Sequence, residues 1–302
     1  MKSFQIPEEK KKRVIIDTDA ANEVDDQFAI VQALLSESLD IRGMIAAHFE
    51  PKKSLTSEED SYREIHKILN LMNRQGSISV FHGAKAAMTQ EDVPAVSEGS
   101  EFIIEEAMKA REDVPVYFVF LGALTDMAAA ILSKPEIAEQ NIRVIWIGGG
   151  NWPEGGYEYN LQNDVMAANV VLDSQMEVWQ IPRNVYRMMP VGFAELYTKV
   201  YPCGAVGRYL CENVIAFNNA NKNHPGEYRI LGDSPAIGVL LYEDCGEWEL
   251  RPAPQFDSDL NYIHRKGTHA IRVYKNLNSR FILEDFYAKL KLFFETEENQ
   301  ER

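Results

Sequence analysis

Basic charge is scarce in this chain of 302 residues: 31 Lys and Arg stand against 46 Asp and Glu, a formal net charge of −15. That balance argues against a nucleic-acid backbone or an anionic membrane surface as partner, because both demand cationic contacts. It leaves a neutral small molecule open. Cysteine is sparse too. Cys203, Cys211 and Cys245 are odd in number and form no C-x-x-C pair, so free thiols in a reducing compartment are expected. No run approaches the roughly 18 apolar residues of a membrane span, and residues 1–13 lack the apolar core of a signal peptide. The expectation is a soluble, cytoplasmic protein. Pro/Gly/Ser linkers, internal repeats and low-complexity tracts are also missing. With 45% hydrophobic residues the chain can build one large domain or two modest ones; without a linker, one domain over 1–302 is the expectation.

What is present is alternation. Short β-branched or apolar runs predict strands at 13–18, 40–47, 78–82, 115–121, 142–148 and 176–181. Helical patterns fill the gaps at about 24–37, 57–74, 99–111, 123–133 and 163–174. Such order implies βαβ crossovers and a mainly parallel α/β sheet flanked by helices, with strand carboxyl ends gathered on one side. From about 188 to 245 the pattern turns mostly helical, at 191–198, 205–221 and 235–242, a helical elaboration over that carboxyl edge. Two further strands are expected near 269–274 and 280–283, before a closing helix at about 285–295.

The most informative stretch joins the first strand to the first helix. Asp17 and Asp19 end the strand, and Asp25 and Asp26 open the helix. In open α/β sheets ligands bind at that crevice. Two carboxylates about 4 Å apart repel by roughly 4 kcal/mol at an effective dielectric near 20. The cluster therefore wants protons or a cation, and all-oxygen donors favour Ca²⁺ or Mg²⁺. A plain structural account, with Asn22 as helix N-cap and Glu23, Asp25 and Asp26 as first-turn acids, leaves Asp17 and Asp19 unexplained.

Three later segments place polar residues where strands end. Leu121 runs into Gly122-Ala-Leu-Thr-Asp126, where glycine lets backbone carbonyls approach a ligand. Gly148-Gly-Gly-Asn151 precedes Glu158-Tyr-Asn160, a carboxylate and an amide two residues apart that suit a polyol. The triple glycine matches no phosphate-loop pattern. Asp233 stands before a Pro-started apolar helix, where, taken in isolation, a simple cap is the stronger explanation. Trp152, Tyr157 and Tyr159 flank the segment and could stack on a planar group or pack the loop.

Taken together, over about residues 13–290, these motifs resemble the inosine-uridine nucleoside hydrolase family, Ca²⁺-dependent N-ribohydrolases. The resemblance implies a Rossmann-like nucleoside hydrolase fold and hydrolysis of a ribonucleoside or related N-riboside to base and ribose. It implies calcium, with Mg²⁺ second, held by the carboxylates of Asp19, Asp26 and Asp233 and the carbonyl of Leu121. Asp25, Glu158 and Asn160 would hold ribose hydroxyls, with Asn151 near the 5′ side and Asp17 supporting the loop. Asp19 would take a proton from a metal-acidified water, while carboxylates steady an oxocarbenium-like C1′. A homodimer or homotetramer is implied as well.

Two departures stand out. The family spacing Asp-x-Asp-x-x-x-Asp-Asp is two residues longer here, with five residues between Asp19 and Asp25, so Asn22 or Glu23 can enter the sugar pocket. Purine-active members carry His immediately before the late aspartate as acid toward the base; this chain has Gly232. His48, His224 and Tyr228 are then the candidates for the acid, with His82 more remote. Three other readings compete: a calcium- and sugar-binding relative without catalysis, a hydrolase of an altered glycone, and a haloacid-dehalogenase-like phosphatase. The last expects an acid or hydroxyl at positions held by Ala21 and Ile237.

Overall fold

The computed structural model describes residues 5–300, with side chains for 5–296. The first half alternates as expected: β1 (Lys12–Thr18), α1 (Asp26–Leu35), β2 (Leu39–Ala46), α2 (Ser57–Leu71), β3 (Val80–His82), α3 (Glu98–Ala107), β4 (Val116–Phe120) and α4 (Thr125–Ser133). There follow β5 (Ile142–Ile147), α5 (Tyr159–Asn163), α6 (Val165–Asp173), β6 (Glu177–Ile181) and α7 (Arg183–Tyr186). Next come β7 (Pro190–Gly192), α8 (Phe193–Lys199), α9 (Gly204–Ala220), β8 (Tyr228–Ile230) and α10 (Ser234–Leu241). The chain closes with β9 (Trp248–Pro252), β10 (Gln255–Phe256), β11 (Tyr262–Ile263), β12 (Ala270–Tyr274) and α11 (Ser279–Gln300).

Eight strands form one sheet in the order β3-β2-β1-β4-β5-β6-β12-β9. All pairings are parallel except the edge pair β12–β9. Strand β1 shows why parallel pairing suits it. Val14 and Ile16 pack into the cluster under α1, α10 and α11, while Ile15 faces the opposite cluster with α3, α4 and α6. A strand buried on both faces needs apolar side chains at successive positions, which is what residues 14–16 supply. Each such fully buried side chain contributes roughly 1.5–3 kcal/mol. No helix among the described residues is long and apolar enough to cross a membrane.

Two expectations need correction. Residues 280–283 are not a strand but the first turn of α11. The apolar run there is helical because the Asn278 side chain accepts the Phe281 N–H at 3.0 Å, an N-cap that an apolar-run reading overlooks. The region 188–245 is helical as expected, but it also holds β7 and β8, paired antiparallel in a separate two-stranded sheet. Strands of three residues are too short to leave a periodic signal. The edge strand β9 was not anticipated either; its residues are mostly exposed, so it lacks a buried apolar stripe.

Candidate active site

Numbered along the chain, β1 sits between β2 and β4, so strand order reverses between β1 and β4. Side chains following these two strands splay around a crevice, the usual ligand position in such sheets. A cavity of about 500 Å³ lies there. Asp19, Asp25, Asp26 and Asp233 line it together with Leu121, Glu158, Asn160 and Tyr186.

The long aspartate loop folds as a turn: Asn22 N–H donates to the Asp19 carbonyl at 2.8 Å, and Asn22 Nδ2 donates to Asp19 Oδ2 at 2.8 Å. Lys53 Nζ donates to the Asn22 side-chain amide oxygen, Oδ1, at 2.8 Å. Asn22 is therefore no helix cap. Asp25 occupies the cap position of α1, and Asp233 that of α10, yet neither makes a side-chain capping bond. Asp25 Oδ2 accepts instead from Gly232 N–H at 2.8 Å, and Asp26 accepts from the Thr18 hydroxyl. Capping thus fails as an explanation for either residue. Asp25, Asp26 and Asp233 each offer an oxygen within 4.8 Å of the others.

Placing these groups together out of water has the expected electrostatic result. Burial pushes Asp19 up to about 8, although the Asn22 amide pulls the other way. Burial, then the charge of Glu23, raises Asp25 to about 6. Asp26 and Asp233 stand well above the usual carboxylate range, from burial first and then from their neighbouring aspartates. Asp17 is buried behind them, raised first by burial and then by the charges of Asp126 and Asp19. The donors are hard oxygens whose repulsion a divalent cation would relieve, so the cluster fits a metal ion. The tightest group contains Asp25 where the resemblance implies Asp19; Asp19 lines the same cavity.

Asn160 is fixed by its own amide, which donates to the Leu121 carbonyl at 2.6 Å and the Ile147 carbonyl at 2.8 Å. Glu158 caps α5, and its two oxygens accept from Gly149, Asn160 and Leu161 N–H groups and from the Tyr186 hydroxyl. Four donors rigidly aim a carboxylate at the cavity. At Gly122 a Cβ would stand 3.2 Å from the Asp19 carboxylate, so glycine there makes room for Asp19.

Other expected residues fall outside. Asn151 does not line the cavity; it is exposed and accepts from Arg183 Nη1 at 3.4 Å. His48 is buried behind the site, 2.8 Å from Thr125 Oγ1, and burial pushes it down to about 4. The side chain does not line the aspartate cavity; it lines a separate one of about 340 Å³. His224 does line the cavity, stacked on Phe217 with ring centroids 5.0 Å apart. Its Nδ1 is buried without a partner among the described residues. Tyr157, Tyr159 and Tyr228 line the cavity too, whereas Trp152 packs edge-on against Tyr262 instead. His82 lies in a separate cavity of about 730 Å³, 2.6 Å from Glu58. Among the cavity-lining residues that sequence reasoning missed are Arg183, Tyr186 and Arg187. A four-residue helix offers no periodic signal that could have found them.

The profile of the inosine-uridine preferring nucleoside hydrolases matches residues 14–268. The chain belongs to that family. Among curated members it is 27% identical over 266 residues to a pyrimidine-specific ribonucleoside hydrolase RihA from Salmonella paratyphi A, covering 79% of each chain. A RihA from Escherichia coli O139:H28 is 28% identical over 193 residues, 55% of this chain and 58% of that one. The fold agrees with the purine-preferring ribonucleoside hydrolase from Gardnerella vaginalis at a TM-score of 0.78, with 20% identity, covering 94% of this chain and 99% of the other. An inosine-uridine preferring hydrolase from Bacillus anthracis gives 0.67 at 17% identity, covering 93% and 99%. As a nucleoside hydrolase, the chain is an enzyme acting on N-glycosyl compounds, and neither the phosphatase nor the binding-only reading is favoured.

Proposed function

We propose that this cavity hydrolyses the N-glycosidic bond of a ribonucleoside or related N-riboside with Ca²⁺ as its ion. One observation carries the proposal: four aspartates meet at one end of a cavity whose wall presents Glu158 and Asn160. Asp26 and Asp233 would hold the ion, joined by Asp19 and the Leu121 carbonyl, with Asp25 beside them. When bound, the cation supplies charge neutralisation and acidifies a water near C1′.

The chain's own residues do the rest. Asp19 accepts the water's proton, and Asn22 keeps its carboxylate in one orientation. Asn160 Oδ1, left free because the amide nitrogen is engaged twice, accepts from a sugar hydroxyl. Glu158 and Asp25 accept from others. The remaining carboxylate charge favours an electron-deficient C1′ over the neutral ground state. His224, which lines the cavity, would protonate the departing base.

The three cysteines are free and buried, which supports a cytoplasmic setting, and a homodimer or homotetramer remains the expected assembly. One domain over the full chain is part of the same reading. Ribose release from a panel of purine and pyrimidine ribonucleosides tests the activity, with Asp26→Ala as control. Release by the native enzyme alone supports hydrolysis; equal release by both preparations rejects this site.

A further inference from the structure

We infer that the substrate carries an anionic substituent, a phosphate or carboxylate, which Arg183 and Arg187 receive at the rim of this cavity. The inference rests on the hydrolase reading above and narrows its substrate class.

Three arginines line the cavity: Arg183, Arg187 and Arg229. Arg229 is neutralised, since it pairs with Glu23 and lies over the Phe217 ring at 4.8 Å. The other two are not. Among the described residues Arg183 has one side-chain hydrogen bond, at 3.4 Å to the uncharged Asn151 amide oxygen, and Arg187 has none. The cavity thus carries two arginines with no carboxylate partner among the described residues on the wall facing its aspartates.

Their spacing sharpens the point. Residues four apart share one side of a helical turn, and the turn is closed here by the Arg187 N–H donating to the Arg183 carbonyl at 3.2 Å. Like charges at that spacing repel and destabilise the turn. A shared anion removes the repulsion, and two guanidinium forks suit phosphate or carboxylate oxygens. The pair is also held in place: Arg183 N–H donates to the Gly149 carbonyl at 3.0 Å, and Tyr186 between them donates to Glu158 Oε1 at 3.1 Å. That bond ties the arginine turn to the wall that carries the sugar contacts. The cavity is therefore bipolar, with a cluster of aspartates for a cation and sugar hydroxyls, and an arginine pair for an anion.

The bond changes are those of the neutral reaction. Water oxygen bonds to C1′, the C1′–N electron pair leaves with the base, and one water proton ends on the base nitrogen. The anionic group takes no part in the chemistry; it positions the substrate. A 5′-phosphate and a carboxylated base offer the same charge at opposite ends of a riboside, so both belong in the test.

Calcium-loaded native enzyme and the Arg183→Gln/Arg187→Gln variant are compared on uridine, uridine 5′-monophosphate and orotidine, reading kcat/KM and, by calorimetry, equilibrium binding. The inference expects at least one anionic riboside to be preferred tenfold or more over uridine. It also expects the double variant to reduce that ratio at least tenfold, mainly through KM. The phosphate and carboxylate arms show which end carries the charge. Preference for uridine over both anions, or an unchanged ratio in the variant, overturns the inference. If nothing is hydrolysed, the activity assigned above fails separately, and the binding ratios still decide this question.

Discussion

The Asn22 amide donates to Asp19 Oδ2 at 2.8 Å while Lys53 holds the other end of the same amide. Asn22 is one of the residues in the long loop, so the added length builds a positioning device for Asp19. Asn22→Ala should leave Asp19 free to rotate and lower kcat roughly tenfold, while stability falls by about 1 kcal/mol. If Asp19 is the proton acceptor as proposed, Asp19→Asn should cost about 10²–10⁴ in kcat with substrate affinity kept. Steady-state kinetics and calorimetry on both variants separate the two effects. Loss of binding equal to loss of turnover in Asp19→Asn would contradict its role as base.

The aspartate cluster makes stability depend on pH and on the ion. Asp19 titrates near 8 and Asp25 near 6 in the fold, against about 3.9 in an unfolded chain. The folded state thus keeps protons that the unfolded state has released between pH 4 and 8. Stability of the metal-free protein therefore falls as pH rises through that window. The proposed calcium would replace those protons, so its stabilisation should be larger at pH 8 than at pH 5.5. At a hundredfold excess over Kd it reaches about 2.7 kcal/mol. Thermal melts with and without chelator check this; a calcium effect that shrinks with rising pH contradicts it.

His48 works with the opposite sign. Its folded value near 4 lies below the unfolded value near 6.5, so stability present above pH 6.5 is lost as pH falls toward 4. The loss amounts to about 3 kcal/mol. His48→Asn should flatten that acid limb while leaving ribose release within twofold at pH 8. A variant with the native acid limb would show that His48 is not the group responsible.

Gly232 cannot simply be turned back into the histidine of purine-active members. A Cβ there would stand 3.0 Å from Asp25 Oδ2 and 3.1 Å from the Tyr186 ring. Gly232→His should therefore destabilise the protein, by about 1–3 kcal/mol as overpacking does, without improving purine turnover. Adding Tyr186→Ala removes one of the two close contacts and should recover part of the stability. Equal stability of native enzyme and Gly232→His would show that the tyrosine leaves room.

Much of this was legible in the residues, and the reasons for the remainder are physical. Residues 14–16 announce a doubly buried strand, and the six strands expected in the first 181 residues lie within two residues of those observed. The aspartates could be read because a carboxylate cluster at a strand end has few purposes. His48 could not be placed, since a strand end says nothing about which way the next side chain turns; here it turns to Thr125. Arg183 and Arg187 sit in a turn too short for periodicity, and only the folded chain shows that they face the same cavity as Asp233. Nor does sequence spacing show that Asn160 spends its amide on the Leu121 and Ile147 carbonyls.

The most direct test of the whole account is ribose release by calcium-loaded protein from purine and pyrimidine ribonucleosides and their 5′-monophosphates, run beside Asp26→Ala and a chelated sample. Calcium-dependent release of ribose or ribose 5-phosphate by the native protein, abolished in the variant, is the predicted result. Release that survives both Asp26→Ala and chelation would contradict it.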